Sequence, residues 1–134
     1  MERNFVVATG RRGVPVLLVN TTPHPIRFRD HDGNIVIVPN NPDYLLNAKA
    51  VEEQVGDDLV TTRFVGTDNG DAIIESIQKI AKEISYADLR IIGSMIAAQA
   101  YPRKVVALTP CPGFERVAPS EKLMSTEKFT IFLG

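Results

Sequence analysis

Leu89-Arg90-Ile91-Ile92-Gly93-Ser94-Met95-Ile96-Ala97-Ala98-Gln99-Ala100-Tyr101-Pro102-Arg103-Lys104-Val105-Val106-Ala107-Leu108 is the stretch whose reading decides the fold. It reads as a strand, a glycine-serine turn, a short helix, a proline stop and a second strand. Such a unit has parallel strands and a right-handed crossover. Gly93 is the residue expected to let the chain turn from strand into helix, with Ser94 at or beside the N-cap. A competing reading starts from Ser85-Tyr86-Ala87-Asp88, which resembles a capping box and would make Tyr86 to Tyr101 one helix. That helix would hold Gly93 in its interior, at a cost of about 1 kcal/mol relative to alanine. The strand-like run Lys104 to Leu108 also needs a partner, so the βαβ reading is preferred.

Outward from this unit, Phe5 to Thr9 and Val14 to Val19 form a hairpin about Gly10-Arg11-Arg12-Gly13. Val16 to Val19 is apolar at every position, the mark of a strand covered on both faces. Asn20-Thr21-Thr22-Pro23-His24-Pro25 stops it in a stiff polar loop. Ile26 to Arg29 and Ile35 to Val38 flank the turn Asp30-His31-Asp32-Gly33-Asn34. Tyr44 to Val55 and Leu59 to Val65 read as a longer hairpin about Gly56-Asp57-Asp58, although Ala48 to Glu53 also suits a helix. In residues 71–84, Ile73, Ile74, Ile77, Ile80, Ala81 and Ile84 recur at helical spacing and predict an amphipathic helix on the sheet. If its isoleucine face is covered by a second chain instead, this helix is a homo-oligomer interface. Thr109-Pro110-Cys111-Pro112-Gly113-Phe114 is another rigid loop, and Phe129 to Leu133 is a closing strand, expected at an edge or beside the N-terminal region. The fold class is therefore α/β: one domain over residues 1–134, with a single mixed sheet, hairpins, one βαβ unit and two helices.

The 134 residues suffice for a sizeable core. Sixteen acids against fifteen bases give a net charge of −1, which argues against a protein that coats duplex nucleic acid. The charge is segregated: residues 1–29 carry five arginines against Glu2, and residues 30–75 carry ten acids against Lys49 and Arg63. One cysteine excludes an internal disulfide and fits a reducing compartment. No apolar run reaches the ~20 residues of a membrane span, and the start lacks a signal-peptide pattern, so the expected location is the cytoplasm.

The segment Asn20-Thr21-Thr22-Pro23-His24-Pro25-Ile26 resembles a family of small phage and prophage proteins that open with a strand, N-L-T-P-H and a hairpin. Ile35-Val36-Ile37-Val38-Pro39 resembles that hairpin's second arm, and Val55 to Phe64 is similar to a later G-x-x-V-x-x-T-x-x hairpin. Ile91 to Pro102 resembles the family's Y-I-V-S-x-x-V-A-x-A-x-P segment. The likeness covers most of residues 14–110, in pieces. Thr21 replaces the usual leucine, an extra hairpin arm precedes the motif, and the helix of residues 71–84 looks inserted. The resemblance implies a mobile-element origin, a host-cytoplasm setting, and an interaction or counter-defence role, in some cases sequestration of nucleotide signals.

Chemistry is expected where Asn20–Pro25, Gly93-Ser94 and Thr109–Gly113 share the carboxyl edge of parallel strands, since open α/β sheets bind ligands there, above all where strand order reverses. The candidate ligand-binding residues are Asn20, Thr22, His24, Gly93, Ser94 and Thr109, donors suited to a phosphate or ribose. The structural alternative is that Thr22 and Ser94 only cap turns or helices and that His24 is held by its prolines. No catalytic constellation or metal-ligand spacing stands out, since Asp30-His31-Asp32-Gly33 reads as a turn, and no cofactor is implied. Cys111 lies between two prolines where exposure is expected, with His24 its only plausible base for a hydrolase. The leading reading is a non-catalytic binder of a small anionic or nucleotide-like ligand. A protein–protein interaction module is the alternative, and a Cys111–His24 hydrolase comes third.

Overall fold

β-Branched and aliphatic runs separated by glycine, proline and asparagine turns build a seven-stranded mixed sheet in the computed structural model, which describes residues 4–84 and 87–134. In chain order the strands are β1 (Phe5–Thr9), β2 (Pro15–Asn20), β3 (Ile26–Arg29), β4 (Ile35–Val38), β5 (Lys49–Gln54), β6 (Val60–Val65), β7 (Asp88–Ile92), β8 (Val105–Pro110) and β9 (Met124–Ile131). Two helices intervene, α1 (Asp68–Ile84) and α2 (Met95–Ala100). The large sheet runs β1-β2-β7-β8-β9-β3-β4, and β5-β6 forms a separate two-stranded sheet. The expected long hairpin thus exists but does not join the main sheet, and its first arm begins at Lys49, after a 3-10 turn at Pro42–Tyr44.

The βαβ unit has the predicted form: β7 pairs in parallel with β8, and α2 crosses between them. Ser94 caps α2, its Oγ accepting from the Ala97 amide at 3.1 Å. Ser85 and Tyr86 of the competing capping-box reading lie outside the described residues. Gly93 stands at the strand-to-helix turn, but close packing rather than backbone freedom requires it. A Cβ there would lie 2.7 Å from Val105 Cγ1 and 3.0 Å from Ala97 Cβ. β2 also runs parallel to β7, so the uniformly apolar Leu17–Val19 run sits inside the sheet, fully buried.

Alternation along the strands sorts side chains into two cores. Leu17, Val19, Ile91, Val105 and Ala107 face Ile74, Ile77, Ala81, Ala97 and Tyr101 of the helical layer. Val16, Leu18, Phe28, Val38, Ile92 and Val106 form the second core on the opposite face. The sheet curls around this second core until its edges approach. Asn40 bridges to Asn20, and the His31 amide donates to the Thr9 carbonyl at 3.0 Å. The α1 isoleucines are spent inside this protomer: Ile74 and Ile77 are buried, and Ile73, Ile80 and Ile84 are partly buried against the same core. At about 2–3 kcal/mol for each fully buried isoleucine, that face is strongly committed. The helix is thus packed mainly on this chain's own sheet, with Ile73, Ile80 and Ile84 keeping some exposure.

The closing strand differs from expectation. β9 begins at Met124 and lies between β8 and β3, an interior strand rather than an edge. Its buried Thr126 donates through Oγ1 to the Thr9 carbonyl at 2.8 Å, which supplies the contact with the N-terminal region.

Tyr101 joins the pieces. Its buried ring lies on Gly66 and Gly70, where a Cβ would meet ring carbons at 2.5 Å and the hydroxyl oxygen at 1.7 Å respectively. The hydroxyl donates to the Asn47 carbonyl at 2.7 Å and accepts from the Thr67 amide at 3.0 Å. Thr67 in turn caps α1, its Oγ1 accepting from the Gly70 amide at 2.9 Å. One phenol therefore ties the approach to β5, the start of α1 and the end of α2.

Candidate functional site

The six candidate residues are borne on the carboxyl side of the parallel trio β2-β7-β8: Asn20 ends β2, Gly93 and Ser94 follow β7, and Thr109 lies near the end of β8. Their polar atoms are largely consumed internally. Asn20 is fully buried; its Nδ2 donates to the His24 carbonyl at 2.7 Å and the Val38 carbonyl at 3.3 Å. Its Oδ1 accepts from the Thr22 amide at 2.9 Å and the Thr22 hydroxyl at 2.6 Å. Ser94 is spent on its cap. Only the His24 imidazole is exposed without a hydrogen-bond partner.

The carboxyl edge of these strands lacks the order reversal that favours a crevice. Strands β2, β7 and β8 are laid down in one direction across the sheet, and both crossover helices pack on the same face. Strand order does not reverse among them, so no switch point opens at their carboxyl ends. The chain after β4 also folds over this edge, with the Leu46 amide donating to the Thr21 carbonyl at 3.3 Å. Cys111 corrects the hydrolase reading: it is buried, not exposed, with its amide donating to the Leu123 carbonyl at 2.8 Å. A thiol so enclosed cannot meet a substrate. No group of three metal-ligating side chains converges among the described residues.

A cleft opens at the other end of the same strands. Its volume is about 420 Å³, within the range of small-molecule sites. Val16, Val106 and Phe129, members of the second core, supply apolar surface. Arg11, Arg90, Arg103 and Lys104 bring four cations to it, against the carboxylates of Asp88 and Glu127. Glu127 is engaged elsewhere, its Oε1 2.6 Å from His31 Nδ1, and this is the one ion pair among the described residues. The four cations are therefore uncompensated at contact distance. Arg90 is the best placed of them. It sits on strand β7, half-buried, with one guanidinium nitrogen donating to the Leu89 carbonyl at 2.9 Å.

Two arginines here hold left-handed backbone: Arg12, next to the cleft-lining Arg11, at φ 62°, and Arg103 at φ 67°. They are the only non-glycine residues with positive φ among those described. Such a conformation costs a side-chain-bearing residue about 1–2 kcal/mol. Arg103 is fixed by its amide donating to the Phe132 carbonyl at 2.8 Å and its Nε to the Leu133 carbonyl at 3.1 Å. Sequence reading missed this site because its cations come from three separated segments with no shared spacing. The sole hint was the basic hairpin turn Arg11-Arg12.

Beyond the charges, His31 has its pKa raised above the ordinary 6.5, first by the hydrogen bond to Glu127; desolvation opposes this, and the negative charges of Glu127, Asp32 and Asp30 each add a lesser upward push. It stands on the turn that joins β3 to β4, and the His31–Glu127 contact fastens that turn to β9.

Among the described residues no helix is long and apolar enough to cross a membrane. No protein-family model, curated protein or solved structure matches this chain.

Proposed function

We propose that this protein binds a small phosphate-bearing anion without transforming it, and that the ligand sits in the cleft at the amino ends of β2, β7 and β8. One observation carries the reading: Arg11, Arg90, Arg103 and Lys104 converge on a cleft with an apolar lining, and none has an acidic partner within ion-pair distance. Guanidinium groups offer forked donors that match phosphate oxygens, and Lys adds a point charge. Phe129, Ile131 and Val106 give the opposite character, suited to a nucleobase or another flat apolar group. A nucleotide-like molecule meets both demands. Resemblance to phage accessory proteins makes nucleotide signals the first ligands to try.

The test is a thermal-shift and calorimetric screen with mononucleotides, cyclic nucleotides and the matching nucleosides. A ligand selective for the native state, present at 100 times its Kd, stabilises by about 2.7 kcal/mol. Phosphorylated members should stabilise the protein and nucleosides should not. Equal shifts from nucleosides, or none from any phosphorylated ligand, would remove the proposal.

A further inference from the structure

The β5-β6 hairpin stands apart from the main sheet, and only its base is packed, with Phe64 against the helical core. From base to tip its strands run about 20 Å, at 3.3 Å per residue over six residues. A two-stranded hairpin alone in water is marginal, yet this one places apolar side chains at its tip: Val55, Leu59 and Val60 are all more than half exposed. The pairing register puts Val51, Glu53 and Val55 on one face, with Leu59 opposite Val55. Residues 52–58 add Glu52, Asp57 and Asp58, and no base. The tip is thus at once apolar and acidic.

The outer face of β3-β4 is its counterpart. No helix covers it among the described residues, while the inner face of the same strands, with Ile26, Phe28 and Val38, is core. Cross-strand pairs there are Arg27 with Ile37 and Arg29 with Ile35. Ile37 is 59% exposed and Ile35 50%, so two isoleucines on the edge strand stand beside two arginines on an open sheet surface. Arg29 is steadied over the Phe114 ring, 5.5 Å from its centroid.

We propose that the hairpin tip of one copy of this chain docks on the β3-β4 face of a second copy. Val55 and Leu59 then cover Ile35 and Ile37, and the acidic tip meets Arg27 and Arg29. Charge and apolarity match in the same small area, whereas two acidic tips would repel each other. The contact joins unlike surfaces, so two copies can exchange it reciprocally about a two-fold axis or pass it on into larger rings and open chains. It leaves the basic cleft free and stands independently of the ligand reading.

Leu59→Asp at the tip and Ile37→Asp on the face alter exposed side chains only, and far-UV circular dichroism will verify that both variants fold. Sedimentation velocity should show the wild type larger than a monomer, with at least tenfold weaker assembly in high salt. Each variant alone should be monomeric. An equimolar mixture of the two should give dimers and nothing larger, because one intact tip and one intact face remain in the pair. A monomeric wild type at every attainable concentration would overturn the proposal. So would assembly surviving in either variant, or a mixture that stays monomeric.

Discussion

Replacing Tyr101 by Phe removes one oxygen and tests how the fold is held together. The ring, 3% exposed, would keep its place, so the hydrophobic contribution is nearly unchanged. What is lost is the bond to the Asn47 carbonyl at 2.7 Å and the one from the Thr67 amide at 3.0 Å. Asn47 is exposed and its carbonyl can turn to water; the Thr67 amide, beneath the ring, is less accessible. One net hydrogen bond lost and one donor left partly unpaired together cost about 2 kcal/mol. Gly70→Ala should cost more, because its Cβ would stand 1.7 Å from the Tyr101 oxygen and 2.5 Å from Cζ. That overlap outweighs the gain of up to about 1 kcal/mol from replacing glycine in a helix. The two substitutions should also couple: removing the oxygen relieves the worst contact, so Gly70→Ala is milder in the Tyr101→Phe background by more than about 1 kcal/mol. Urea unfolding followed by far-UV circular dichroism is the assay, since the chain has no tryptophan. Costs that simply add would show that the phenol does not fill the space over Gly70.

Gly93→Ala should destabilise by about 1–3 kcal/mol in the same assay, because the new methyl meets the stiff Val105 side chain at 2.7 Å; a cost near zero would contradict close approach as the reason for this glycine. His31 should titrate by NMR above 6.5 and fall back in Glu127→Gln, since the hydrogen bond to Glu127 is the largest cause of its raised pKa. The sign follows: the protonated contact contributes fully below 6.5 and is lost as pH rises through the folded-state pKa, so stability should decline over that window in the wild type but not in His31→Gln. Arg103→Gly should leave stability within about 1 kcal/mol, because relief of the left-handed backbone offsets the added freedom of the unfolded chain, while anion affinity falls. A large loss of stability would show that the Arg103 side chain serves the fold and not the cleft.

Local pattern made much of the fold legible. Val16 to Val19 announced an interior strand, the isoleucine spacing announced α1, and the turn at Gly93-Ser94 fell where the βαβ reading put it. Long-range features were not legible. Met124 to Lys128 is mostly polar and shows no apolar period, yet it belongs to an interior strand because β3 pairs with Met124 and Ser125 on one side while β8 pairs with Met124 and with Phe129 to Ile131 on the other. Cys111 is buried because Leu123 returns to bond its backbone, a contact twelve residues away. Asn20 and Thr22 look like ligand donors in a one-dimensional reading; in three dimensions they satisfy each other and lock the turn. The cleft arginines carry no motif at all, since only the parallel order β2-β7-β8 brings Arg11, Arg90 and Arg103 together.

Comparing Arg90→Gln with Ser94→Ala in one calorimetric titration tests the central claim most directly, because Arg90 lines the basic cleft while Ser94 stands past the carboxyl end of β7. The titrant is the nucleotide giving the largest shift in the screen. Arg90→Gln should lose about 1.5–3 kcal/mol of binding, the worth of a hydrogen bond to a charged group, or roughly 10- to 100-fold in Kd. Ser94→Ala should leave Kd unchanged while lowering stability by about 1 kcal/mol through loss of the α2 cap. If Ser94→Ala weakens binding and Arg90→Gln does not, the ligand sits at the carboxyl edge and the basic cleft is not its site.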